Sequence, residues 1–136
     1  MFHHSDPDLD WLMQGLVERV PRTRSAVLLS GDGLSTAGHG AEQDLADQLA
    51  AGASALYSLA RGLGTQLGDT GEVRQVVVEL GSTVLFVATA GAGARMVVVA
   101  DRDVDPGVMG YEMSALAKSV RGHLATPARQ PGTTTG

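Results

Sequence analysis

The sequence predicts an α+β domain in the order α-β-β-α-β-β-β-α, with a mainly antiparallel sheet and helices on both of its faces. Three observations carry that expectation. Apolar residues recur at helical spacing near the start, in the middle and near the end of the chain. Between these segments lie short strand-like runs joined by glycine-containing turns tight enough for hairpins, so consecutive strands run antiparallel. Three of the runs, AVLL, VLFVATA and MVVVA, are apolar at successive positions instead of alternating. A strand apolar on both sides needs cover on both sides.

The elements follow in order. Met1 to Pro7 reads as a flexible lead-in, and the domain proper spans residues 8–124. From Asp8, a candidate N-cap, Leu9, Leu12, Met13, Leu16, Val17 and Val20 form one helical stripe that Pro21 stops. Ala26 to Leu29 is the first strand, and Leu34 to Gly38 is a weak, polar second one. A long helix is expected over roughly Asp44 to Gly68, followed by strands over Val73 to Leu80, Val84 to Ala90 and Met96 to Ala100. The last helix starts near Pro106 and sets Met109, Met113, Leu116, Ala117, Val120 and Leu124 on one face. The tail from Ala125 to Gly136, rich in Pro, Thr and Gly, is expected to be disordered.

Composition narrows the function classes. At 136 residues the chain is about one domain long and can bury a single core. A net charge of −5 leaves no basic stripe to neutralise phosphates, which argues against nucleic acid as a partner. There is no cysteine, so disulfides and thiolate metal sites are excluded. The polar start MFHHSDPDLD is no secretory signal, and the longest apolar stretch, Val84 to Ala94, is too short to insert in a bilayer. A cytoplasmic domain is expected.

The stretch AVLLSGDGLSTAGHG raises the one question of chemistry. A phosphate loop needs GxxxxGK[ST], and no lysine follows Gly33, Lys118 being the only one in the chain. A dinucleotide fingerprint needs a third glycine where Thr36 stands, and Asp32 would repel a phosphate. Asp-Gly between two strands is the chemistry of a tight turn, so Gly31 and Gly33 are assigned a structural role. His3, His4, His39 and His123 are scattered without metal-ligand spacing, and no HExxH, GxSxG or paired-carboxylate pattern occurs. No catalytic residue, metal or cofactor is expected.

Two anomalies point to a partner instead. Leu45, Leu49, Leu56, Leu59, Leu63 and Leu67 of the long helix fall on one narrow stripe. Away from it lie Ala50, Ala51, Ser54, Ala55, Ser58 and Gly62, and no charged residue separates Asp47 from Arg61. An outer helix face in a monomer carries charges to water, so small uncharged residues there suggest a second buried face. The strand with Val76, Val77 and Val78 should lie at a sheet edge, where an apolar run without proline invites pairing. Ala51, Ser54, Ala55, Ser58, Val76, Val77 and Val78 are therefore the candidate interface of a homodimer.

Element order and segments together resemble the roadblock/LC7 domain family, particularly the actinobacterial proteins that accompany small Ras-like GTPases in multi-component signalling clusters. The resemblance rests on LDWLMQGLVERVP, SAVLLSGDGLSTA, the Ala/Leu-rich second helix and VLFVATAGAGARMVVVA, and covers roughly Asp8 to Leu124. It implies a five-stranded antiparallel sheet of roadblock/longin/profilin type, with the first and last helices on one face and the second on the other. It further implies dimers whose third strands join into one sheet with the second helices side by side. By the same resemblance the partner is a small Ras-like GTPase, with a sensor-kinase-like membrane protein as a further partner that would recruit the protein to the membrane. No arginine-finger motif is recognisable, so activation, inhibition and recruitment of the GTPase all stay open. A small-molecule sensing domain of profilin, PAS or GAF architecture is the alternative. It would need convergent polar groups beneath the sheet, and the aliphatic strand runs offer few.

Overall fold

A computed structural model describes residues 6–91 and 93–125, and the expectations for residues 1–5 and 126–136 lie outside that range. Eight elements follow the expected order: α1 (Pro7–Arg19), β1 (Thr23–Leu29), β2 (Ser35–His39), α2 (Gln43–Gln66), β3 (Gln75–Glu79), β4 (Thr83–Gly91), β5 (Ala94–Asp101) and α3 (Pro106–Ala125). The five strands form one sheet in the order β2-β1-β5-β4-β3, antiparallel at every pairing. The two most continuously apolar strands, β1 and β5, sit in its middle.

Both faces of those strands are buried. Ala26, Leu28, Phe86, Met96 and Val98 face α1 and α3, packing with Met13, Leu16, Met109, Met113 and Leu116. Val27, Leu29, Val87 and Val97 face α2. The strand residues thus alternate between two cores, which is why the runs read as unbroken apolar sequence. α1 and α3 lie side by side on their face, tied at opposite ends by Arg19–Glu112 at 2.9 Å and His123–Asp6 at 3.1 Å.

Two expectations need correction. The N-cap of α1 is Asp6, not Asp8: its carboxylate accepts from the N–H groups of Asp8 and Leu9 at 2.9 and 3.3 Å. Pro7 opens the helix, where its missing N–H would have had no partner in any case. The folded domain therefore starts before residue 8.

The second correction concerns α2, where Ala46, Ala50, Ala53 and Tyr57 lie on the sheet and, of the leucine stripe, only Leu49 and Leu56 pack partly against the same core. The strands supply the bulk on this face, so alanines let the helix sit close to them. Ala50, read as part of an outer face, is fully buried.

Gly40, just after β2, has a role that the sequence does not reveal. Its φ is +87°, and a Cβ there would run into the Arg24 carbonyl oxygen and the Ser25 Cα. Only glycine lets the chain leave the edge strand along this path.

Candidate protein interaction surface

The glycine stretch after β1 is a hairpin turn. Gly33 N–H donates to the Ser30 carbonyl and Ser30 N–H to the Leu34 carbonyl, both at 3.0 Å. Gly33 has φ +84°, a left-handed residue closing a tight turn, while Gly31 is not left-handed. The Ser30 hydroxyl donates to the Asp32 carboxylate, and this bond is the main cause holding Asp32 below the ordinary carboxylate pKa. An ionised aspartate occupies the turn where a phosphate loop would offer N–H groups.

The two edges of the sheet differ. On β2 the Gly38 N–H donates to the Asp10 carboxylate at 2.9 Å, which occupies one backbone donor of that edge. Side chains also tie β2 to α2, with the Ser35 hydroxyl 3.1 Å from an Asp47 carboxylate oxygen that Gln43 also reaches at 2.7 Å. β3 pairs only with β4, and among the described residues no side chain bonds its backbone. It carries the Val76–Val78 run and neither proline nor lysine. β3 is the open edge.

The leucines of α2 lie beside that edge. Gln43, Asp47 and Ser54 mark the flank of the helix turned to β2 and the hairpin, Ser54 lying close to Gly33. The leucine stripe is on the other flank, about 100° around from the residues on the sheet. Leu45, Leu59, Leu63 and Leu67 are 42, 65, 65 and 83 % exposed, and Leu49 and Leu56 are half-buried. Val76, half-buried, packs against the same core as Leu49 and Leu56.

The expected interface residues fall around this surface unevenly. Val76 and Val78 are half-buried and Val77 is exposed. Val77 lines an open groove of about 490 Å³ with Leu80, Val84, Phe86, Val104 and Pro106. Ala51, Ala55 and Ser58 are exposed on the outer side of α2, and Ser54 is half-buried near the hairpin. The exposed leucines are what the sequence reading missed as interface candidates. Their signal was the stripe itself, whereas the sequence reading placed the interface on the small residues away from it.

The remaining polar clusters have structural tasks. Asp6, Asp8 and His123 bring three metal-ligating side chains within 4.8 Å among the described residues, yet Asp6 already caps α1 and pairs with His123. Burial opposes ionisation of Asp6 but is outweighed by its bonds to His123, Leu9 and Asp8 and by the charge of His123, so its pKa lies below the usual value. His39 ends β2 and is not part of that cluster. Tyr57, buried under α2, shares a hydrogen bond with the Thr89 hydroxyl at 3.3 Å, and the Arg95 guanidinium stacks 3.9 Å from its ring centre. Among the described residues no helix is long and apolar enough to cross a membrane.

Two helical layers around an antiparallel sheet with one open apolar edge define an α+β domain. The comparisons with known proteins specify which kind. The model of the Roadblock/LC7 domain family matches residues 9–100. A Roadblock/LC7 domain from Streptomyces avermitilis is 61 % identical, with 86 % of this chain and 98 % of that one covered, at a TM-score of 0.84. Another Streptomyces avermitilis Roadblock/LC7 domain is 38 % identical over 82 % of this chain and 96 % of that one, at a TM-score of 0.67. MglB of Myxococcus xanthus is similar in fold, at 14 % identity, coverage of 87 % and 95 %, and a TM-score of 0.78. No curated protein matches the chain. The chain belongs to the Roadblock/LC7 domain family, whose members are generally non-enzymatic regulatory domains.

Proposed function

We propose that this protein is a homodimeric, non-catalytic regulator or scaffold that binds a small Ras-like GTPase in a bacterial signalling system. The observation that carries the reading is the coincidence of an open β3 edge with the exposed leucine flank of α2 on one side of the molecule. Pairing β3 with its counterpart in a second copy would satisfy the outer backbone groups of Val76–Val78 and continue the sheet across the two-fold axis. The α2 helices would then lie side by side, covering leucines that a monomer leaves in water. Ala51, Ser54, Ala55 and Ser58 would border or enter that contact, and their small side chains permit close approach. Family membership supports a regulatory or scaffold role, and the sequence resemblance supports the GTPase as partner.

The protein would act by presenting a composite surface, not by chemistry of its own. The hairpin at Gly31–Gly33 offers no phosphate cradle, so nucleotide is expected to stay on the partner. Capture of a small Ras-like GTPase from the same bacterium, loaded in turn with GDP and with a GTP analogue, tests the assignment. Capture of one or both forms supports it. Absence of binding to either, by a dimer verified in the same buffer, contradicts it.

A further inference from the structure

We propose that Arg61 and Arg95, set around Tyr57 on the α2 side of the sheet, form a docking site for an acidic segment of a partner protein. The inference deepens the reading above, since it rests on this side of the molecule being a docking surface, and it names what the partner must carry.

One guanidinium reaches the Tyr57 ring from β5, and a second stands one helical turn away on α2. Arg95, on β5, stacks 3.9 Å from the Tyr57 ring centre and donates through Nη1 to the Gly31 carbonyl at 3.3 Å. Arg61 stands four residues after Tyr57 on α2, hence next to it on the helix surface. The phenol registers both charges. Its pKa is lowered first by the hydrogen bond to Thr89, against partial burial, and further by Arg95 and Arg61.

Neither charge is paired with a carboxylate among the described residues. The ion pairs among the described residues take up Arg19, Arg22, Arg24 and His123, and none involves Arg61 or Arg95. Asp32, in the same turn as Gly31, is engaged with Ser30. Asp69 and Glu72 on the α2–β3 loop pair with neither arginine, and Asp69 caps Thr70 N–H instead. In a chain of net charge −5, two guanidiniums without an ion pair among the described residues form a local concentration of positive charge, with the ionised Asp32 the acidic group of the adjoining turn.

Geometry favours a carboxylate-bearing protein surface over a phosphate ligand. A guanidinium has five N–H donors in a planar fork, and Arg95 spends one on Gly31, so bidentate carboxylate binding remains open to it. The stack on Tyr57 holds that fork in place before a partner arrives, which lowers the entropic cost of docking. Arginine forks take carboxylate and phosphate alike, but a phosphate nest adds converging backbone N–H groups, and here the neighbouring turn presents the Gly31 carbonyl. Arg61 is exposed, as a contact made by another protein's surface requires.

The test is fluorescence anisotropy of a labelled octaglutamate peptide against the full chain at low and moderate salt. Saturable binding that weakens with salt is expected, against the long-range repulsion of the overall negative charge. Arg61→Gln and Arg95→Gln should each weaken it about three- to fivefold, whereas Arg19→Gln, at a cation paired with Glu112, should not. If Arg95→Gln disturbs the hairpin, the exposed Arg61→Gln carries the comparison alone. Peptide binding indifferent to Arg61, or no binding at low salt, overturns the proposal, as does tripolyphosphate binding where the peptide does not. The site lies within one chain, so sedimentation of the same samples separates the two readings. A monomer that binds the peptide through Arg61 would contradict the dimer and leave the docking site standing.

Discussion

Replacing Leu59 by glutamate separates a leucine flank that serves an interface from one that only faces water. Leu59 is 65 % exposed in the single chain, so the change removes little intramolecular packing. Leucine and glutamate have similar helix propensity, and the stability of a monomer should move by no more than about 0.5 kcal/mol. In a dimer that covers the flank the outcome differs. Full burial of a leucine side chain contributes about 1.5–3 kcal/mol, so covering the exposed roughly two thirds contributes about 1–2 kcal/mol per subunit. A symmetric dimer loses this twice, about 2–4 kcal/mol, before any cost of desolvating two carboxylates. The dissociation constant should rise by about 30-fold to 1000-fold. Sedimentation equilibrium across a concentration series measures it, with circular dichroism confirming an unchanged fold. A Leu59→Glu protein that dimerises as tightly as wild type would show that the leucine flank is not the contact.

Other perturbations address separate parts of the account. Ala55→Arg, on the outer side of α2, should yield monomer or aggregate and weaken GTPase capture; a stable dimer by light scattering would place this side of the helix outside the interface. Gly33→Val forces a branched residue into φ +84° and toward the Ser54 side chain, and should cost about 1 kcal/mol or more in urea unfolding, with Asp32→Asn unable to create or abolish nucleotide binding. Gly40→Ala should cost more than Gly33→Ala, because its new Cβ meets backbone and not a side chain. The folded-state pKa of Asp6 is depressed, so its contribution to stability is fully present above the unfolded value of 3.8 and lost as pH falls through the folded value. Urea midpoints for wild type and Asp6→Asn should therefore converge on acidification; a gap constant with pH would show that the pairing contributes nothing through ionisation.

Most of the fold was legible because the strands have unambiguous environments. AVLL and MVVVA are apolar at successive positions since β1 and β5 lie between two helical layers, and a strand covered on both faces needs that pattern. The α1 and α3 stripes predicted their buried faces for the same reason, each helix having one core to cover, except that Leu124, in the last turn of α3, lies beyond that core and is exposed. α2 was harder. Periodicity fixes which residues share a face but not which surface that face meets, and α2 carries two uncharged faces. The sheet took the alanines because Val27, Leu29, Val87 and Val97 already fill the space, leaving the leucines outward.

Ends of elements were missed where polar residues do structural work. Thr23 and Arg24 belong to β1, with Arg24 bonded to Asp101 across the sheet at 2.6 Å, and Asp6 caps α1 from before the apolar stripe begins. The β3 edge was read correctly from its place between a helix and a hairpin. The Tyr57–Arg95 stack joins residues on α2 and β5 that no local pattern connects, so only the folded chain brings it into view.

Hydrogen exchange of the β3 segment, followed at several protein concentrations, tests the central claim most directly. If β3 pairs with a second copy, amides of Gln75–Glu79 exchange slowly at high concentration and faster on dilution below the dissociation constant, while β1 and β5 stay protected throughout. Exchange of Val76–Val78 that is rapid and independent of concentration would mean that this edge stays open in solution, and the dimeric regulator described here would have to be abandoned.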